Sequence, residues 1–109
     1  SMMVIGDVEG KNVILVDDMV DTAGTITKAA DLMMDQGAKS VRALASHAVM
    51  SDPASERVMN SKMTEMIFTD SIPFNKECPK AHIISIAGMF AETIRRAHNN
   101  ESISSQYIV

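Results

Sequence analysis

Residues 13–25 read Val-Ile-Leu-Val-Asp-Asp-Met-Val-Asp-Thr-Ala-Gly-Thr, and the fold is decided by this run. Its first four residues are apolar and mostly β-branched, which predicts a strand over 13–16, of the kind buried on both faces of a parallel sheet. Asp17 and Asp18 follow at its end. Thr22, Ala23, Gly24 and Thr25 then form a small-residue turn that opens a helix. Free loop N–H groups and a helix N-terminus hold anions, and carboxylates accept hydrogen bonds from hydroxyls. The string therefore suits a phosphorylated sugar. Acids at a strand end, and Asp or Thr as helix caps, are also common structural features. Asp17 and Asp18 would not carry the reading without the rest of the string. Successive strand side chains point to opposite faces, so one acid faces a ligand and the other orients the loop or a metal-bound water. Ala23 and Gly24 let backbone approach an anion closely. Asp21 adds a third negative charge, tolerable if its side chain turns back to cap the loop.

Working outward, strands alternate with helices. Residues 2–5 are a short apolar run read as a strand near a sheet edge, and residues 9–12 are a turn by composition. Residues 25–36 are helical, with Ile26, Ala29, Ala30 and Met33 spaced as one buried stripe. Gly37 supplies the left-handed stop after it. A strand is expected over 41–50. A short helix follows to about residue 60, with Pro53 at its first position. Brief strands are expected over 66–69 and 82–85, and a last helix over 87–99 with Phe90, Ala91, Ile94 and Ala97 on one side. Such alternation implies right-handed crossovers and a parallel sheet, with ligands bound beyond the carboxyl ends of the strands. Residues 17–25, 46–53 and 69–73 share that rim.

The chain has 109 residues, enough for one domain but small for a self-sufficient α/β sheet. A net charge of −4 argues against a nucleic-acid surface, and no apolar stretch is long enough to cross a membrane. One cysteine, Cys78, permits no intrachain disulfide and suits a cytoplasmic protein with an inert thiol. The ten methionines are scattered and read as packing residues. Ser1 ahead of Met2 reads as the remnant of an expression tag. No metal-ligand spacing links His47, His82 and His98; His47 is read as a satisfied core or rim histidine and not as a catalyst.

The string Val-Asp-Asp-Met-Val-Asp-Thr-Ala-Gly-Thr at 16–25 closely resembles the phosphoribosyl pyrophosphate loop of the ribose-phosphate pyrophosphokinase family. The resemblance continues in Gly6-Asp7-Val8-Glu9-Gly10-Lys11, in Thr69-Asp70-Ser71-Ile72-Pro73 and in residues 92–104, so it covers nearly the whole chain. It implies an α/β, three-layer phosphoribosyltransferase-like domain, its mainly parallel sheet flanked by helices. It implies the C-terminal half of a two-half enzyme that transfers diphosphate from Mg²⁺-ATP to ribose 5-phosphate, giving phosphoribosyl pyrophosphate and AMP for nucleotide biosynthesis. Asp17 and Asp18 would bind the ribose hydroxyls, and Asp21, Thr22, Ala23, Gly24 and Thr25 the 5-phosphate. Either Asp17 or Asp18 could meet the metal indirectly. Catalytic cations and most of the ATP site would belong to the N-terminal half. Partners would be that half and further copies of the chain, from dimer to hexamer.

The same resemblance makes Ser102, Ser104 and Tyr107 candidates for a regulatory nucleotide or phosphate site, although Ser105 and Gln106 depart from the usual aromatic and aliphatic pair. Asp70 stands where the family usually has Asn, which weakens any direct phosphate contact there. Arg95 and Arg96 are read as cations favouring a helix C-terminus. Two other functions fit parts of the pattern. A phosphoribosyltransferase uses a similar loop but needs a base-binding segment and a hood. A non-catalytic relative of the synthase would associate with active subunits as a regulator.

Overall fold

A computed structural model describes residues 6–100 and 102. The expected strand at 2–5, Ser104 and Tyr107 lie outside the described residues. Four strands, β1 (Asn12–Val20), β2 (Ser40–Ala48), β3 (Glu65–Thr69) and β4 (Ala81–Ile84), form one sheet in the order β1-β2-β3-β4. Every pairing is parallel, as the alternation of strands and helices requires. Helix α1 (Gly24–Asp35) connects β1 to β2, and α2 (Ala54–Asn60) connects β2 to β3. Helix α3 (Ala87–His98) follows β4.

The register sorts the side chains by face. Val13 pairs with Val41, Leu15 with Ala43, and Asp17 with Ala45; Ala43 and Ala45 in turn pair with Met66 and Phe68. Val41, Ala43, Ala45, Met66 and Phe68 are buried, and they pack with Ala30 of α1 and Ala54 and Val58 of α2. Alternate alanines on β2 let the helices approach the sheet closely. Three of the methionines, Met50, Met63 and Met66, are fully buried, consistent with a packing role. Cys78 is buried and free.

The opposite face differs from expectation. Ile14 and Val16 are 63% and 75% exposed, and Leu44 and Ile84 are exposed beside them. The strand at 13–16 is therefore buried on one face only, because none of the described helices covers its second face. The described residues supply two layers, the sheet and α1 with α2; they do not complete the third layer that the resemblance implies. The N-terminal part of this open face carries Arg42, whose Nε donates to Glu65 at 3.0 Å.

Helix boundaries follow local chemistry. Gly37, at φ 94°, ends α1 as expected. Of the predicted α1 stripe, Ala30 is fully buried, while Ile26 and Met33 pack against the core from half-buried positions. Pro53 lies one residue outside α2, at its N-cap, and not at the first helical position. Helix α3 buries none of its residues, so Phe90 and Ile94, expected on a packed stripe, are 53% and 69% exposed. Its local order comes instead from charge. Glu92 accepts from Arg95 Nη2 and from Arg96 Nε, each at 2.7 Å. Both arginines stand in the last turn, where cations also favour the helix dipole.

A pH dependence follows from that pairing. Hydrogen bonds from Arg95, then Arg96, lower the Glu92 carboxyl from 4.5 to about 2. A depressed acid contributes stability that is complete above its unfolded value and lost as pH falls through its folded value. The α3 contribution is thus expected to persist at pH 5 and to fade between 4.5 and about 2. A carbon-13 titration of the Glu92 carboxyl should give a midpoint near 2; a midpoint at 4.5 would show that the pairing is absent in solution.

Candidate functional site

Strand β1 does not stop at Val16. It runs nine residues to Val20, because Met19 and Val20 continue the pairing with His47 and Ala48 of β2. Asp17 and Asp18 therefore lie within the strand and not beyond it. Both are exposed, so an edge strand accommodates them without desolvating a charge. Asp17 pairs with Ala45, on the face that α1 covers, and Asp18 follows it near enough for the two carboxyl groups to interact.

The chain then turns through Asp21, Thr22 and Ala23 into α1. Ala23 is buried and left-handed, with φ 62° and ψ 14°. That conformation costs a non-glycine residue about 1–2 kcal/mol. Ala23 is also the N-cap of α1, and no side chain caps the helix there. Asp21 is exposed and does not cap the loop, contrary to the condition set for it above. Thr27 takes up the Ala23 carbonyl instead, through its N–H at 3.2 Å and its hydroxyl at 2.6 Å. The first N–H groups of an α-helix have no intrahelical partner. Here no side chain supplies one, which leaves a positive pole available to an anion.

Asp17, Asp21, Thr22, Ala23, Gly24 and Thr25 together line a hollow of about 160 Å³. The sequence-predicted residues are thus brought to one place, except Asp18, which is not among its walls. Asp17 is held below the ordinary carboxylate range, first by hydrogen bonding with the Asp18 side chain and next by the Asp18 N–H, which donates to Oδ1 at 2.8 Å. It is an ionised acceptor at neutral pH. Behind the turn, a larger groove of about 620 Å³ runs between α1 and α2 and includes Lys28, Asp31, Glu56 and Arg57.

The other rim segments are tied together by hydrogen bonds. Thr69 and Ser71 both donate hydroxyl protons to the Ser46 carbonyl, at 2.6 and 2.9 Å. His47 Nδ1 lies 2.7 Å from Ser71 Oγ. Ser71 spends its one proton on Ser46, so Nδ1 carries the hydrogen of that bond. His47 is a satisfied rim histidine, as read from the sequence. Asp70 accepts from the Ile86 N–H at 2.9 Å, which together with a hydrogen bond to the Ser85 side chain holds its carboxyl below the ordinary carboxylate range. Its carboxylate thus joins the ends of β3 and β4 at the start of α3. Ser102 is exposed, and its carbonyl accepts from Arg96 Nη1 at 3.4 Å. Among the described residues no group of three His, Cys, Asp or Glu side chains is placed to hold a metal ion, and no helix is long and apolar enough to cross a membrane.

Sequence reasoning missed Arg57. Its Nη1 donates to the Thr22 carbonyl at 3.2 Å, across 35 positions of sequence. No spacing rule joins a residue of the second helix to a turn ahead of the first. Only the crossover geometry does.

Comparison with known proteins places this architecture. Residues 1–108 match the phosphoribosyl synthetase-associated domain family. A ribose-phosphate pyrophosphokinase of Porphyromonas gingivalis is 63% identical over 106 residues, 97% of this chain and 34% of that protein. Ribose-phosphate pyrophosphokinase 3 of Saccharomyces cerevisiae is 47% identical over 94% of the chain and 33% of its own length. The crystal structure of phosphoribosylpyrophosphate synthetase from Mycobacterium smegmatis superposes with a TM-score of 0.81 at 43% identity, covering 88% of this chain and 33% of that one. The chain spans about a third of the length of the curated relatives it matches. A parallel α/β sheet, a family match over nearly every residue and high identity to several relatives agree: the chain belongs to the phosphoribosyl synthetase-associated domain family.

Proposed function

We propose that this chain is the ribose 5-phosphate-binding, C-terminal part of a ribose-phosphate diphosphokinase, the enzyme that moves the diphosphate of ATP onto the anomeric hydroxyl of ribose 5-phosphate. The observation that carries the reading is the uncapped, left-handed turn at Ala23, which shares one hollow with the ionised Asp17. A phosphate at that turn accepts N–H groups of residues 23–25 and the hydroxyls of Thr22 and Thr25. The sugar then lies toward Asp17, whose carboxylate accepts its hydroxyl protons. Asp18, beside Asp17 but outside the walls of the hollow, orients the strand end or a water.

Mg²⁺ bound with the nucleotide would be met only indirectly by this chain's strand-end carboxylates, and would supply neutralisation of phosphate charge. Either Asp17 or Asp18 would make that contact through water. Phosphoryl chemistry of this kind rests on positioning and on cations. Those cations reside, on this reading, in the remaining two thirds of the enzyme, and so does the partner for the exposed Ile14, Val16 and Leu44 face. Association of copies, and a regulatory role for Ser102 with Ser104 and Tyr107, belong to the same proposal.

The test is a titration of the chain with ribose 5-phosphate, with and without Mg²⁺, followed by amide NMR. Shifts are expected at residues 17–25, with millimolar affinity and no AMP formed from added ATP. An unshifted loop at tens of millimolar ligand would overturn the assignment of the site, and steady AMP formation would overturn the assignment of catalysis to the rest of the enzyme.

A further inference from the structure

The turn between β1 and α1 is held from outside by the segment that follows β2. The Val20 carbonyl accepts two N–H groups, from Val49 at 3.1 Å and from Met50 at 3.0 Å. Two residues later, the Thr22 carbonyl accepts from Arg57 Nη1 at 3.2 Å. Both anchors come from residues 49–57, which leave the sheet beside β1. Arg57 itself is fixed by α2, whose Ala54 and Val58 are fully buried. The helix is thus a rigid mount and Arg57 its reach toward the turn.

The consequence concerns the next peptide. Asp52-Pro53 is the one cis bond among the described residues, so the Thr22-Ala23 peptide is trans. In a planar trans peptide the C=O and N–H point in opposite directions. Drawing the Thr22 oxygen toward α2 therefore turns the Ala23 N–H away from α2. Thr22, Gly24 and Thr25 line both the α1–α2 groove and the 160 Å³ hollow, so the turn is the wall between the two. Away from α2 is toward the hollow. An unheld Thr22 peptide could rotate its oxygen into the hollow, where it would oppose an anion. Gly24 leaves room for the guanidinium: a Cβ there would lie 3.0 Å from Arg57 Nη1.

We propose that Arg57 is a positioning residue for the anion-binding turn: by holding the Thr22 carbonyl it presents the Ala23 N–H to a phosphate. The inference rests on the sugar-phosphate reading for its ligand, but the conformational part does not need a ligand to be tested. Arg57 is exposed and donates away from the hollow, so its part is to set the turn and not to touch the phosphate.

The experiment compares the chain with its Arg57→Gln and Arg57→Lys variants by amide NMR, first free and then with ribose 5-phosphate. In the free protein, Arg57→Gln is expected to shift the Ala23 and Gly24 amides and to speed exchange of the Ala23 hydrogen. Affinity for ribose 5-phosphate should fall about tenfold, the scale of one lost charge-assisted hydrogen bond. The thermal midpoint should stay within about 2 °C, as for other exposed substitutions. Arg57→Lys, which keeps one cationic donor, should recover part of both the amide pattern and the affinity. Free-state Ala23 and Gly24 amides unchanged in Arg57→Gln would overturn the proposal, whatever the affinity. If the unsubstituted chain binds no ribose 5-phosphate, the sugar-phosphate reading fails, and the positioning role is decided by the free-state amides alone.

Discussion

Phe68→Ala is expected to destabilise the chain by about 3–5 kcal/mol, the cost of emptying an aromatic site in a packed core. Phe68 is 1% exposed on β3, one residue before its end. It lies between Ala45 of β2 and Ile83 of β4, and its ring centroid stands 6.3 Å from that of Phe74. Ala45 has only a methyl group to offer the void, and the strand pairing holds the backbone on both sides. A small domain has about 5–15 kcal/mol in total, so the loss removes a large share. The thermal midpoint should fall on the order of 15–30 °C. The informative control is Phe90→Ala. Phe90 is 53% exposed on α3, and the same chemical change there should cost within about 0.5 kcal/mol. Circular dichroism melts of both variants at one protein concentration decide the point. Equal losses would show that α3 is packed in solution and that Phe90 belongs to the core.

The contrast between those two phenylalanines also shows what could be read from the chain before its structure. Phe90 stands on the stripe expected along one side of its helix, and Phe68 in the strand expected over 66–69. The pattern at β3 found its cover in α1 and α2; the pattern on α3 did not. Ile14 and Val16 repeat the lesson on β1, where four apolar residues in a row correctly predicted a strand and overstated its burial. Sequence encodes a surface that favours burial, not what buries it. The Gly37 stop and the gathering of Asp17 with residues 21–25 were legible because each depends on neighbours within a few positions. The reach of β1 through Asp17 and Asp18 was not, since the pairing of Met19 and Val20 with β2 is a long-range fact. Nor was the work of Asp70, whose partner Ile86 lies sixteen positions on. Arg57 is the clearest case: an ordinary Glu-Arg pair on a short helix becomes part of the site only once the crossover has closed.

Ala23→Val is expected to weaken ribose 5-phosphate binding by about 10–100-fold while leaving the sheet intact. Ala23 already holds φ 62°, a region that alanine enters at modest cost and a β-branched residue scarcely enters at all. Strain of this kind amounts to about 1–3 kcal/mol. At 1.4 kcal/mol per tenfold, that is most of two decades of affinity if the variant turn relaxes when free and must be rebuilt when bound. Ala23 is also 5% exposed, so two added methyl groups meet packed neighbours and push in the same direction. Ala23→Gly separates conformation from packing. Glycine takes the left-handed turn freely, and its relief of strain is offset by the greater freedom of the unfolded chain. Its affinity should stay within about twofold of the original, with the same loop amides shifting on titration. If Ala23→Val bound as tightly as the unsubstituted chain, a left-handed turn would not be what the phosphate recognises, and the positive pole of α1 would have to act without it. If both variants lost binding, the methyl group of Ala23 would matter more than its backbone angle. The expected order, glycine close to alanine and valine far below, ties recognition to the turn.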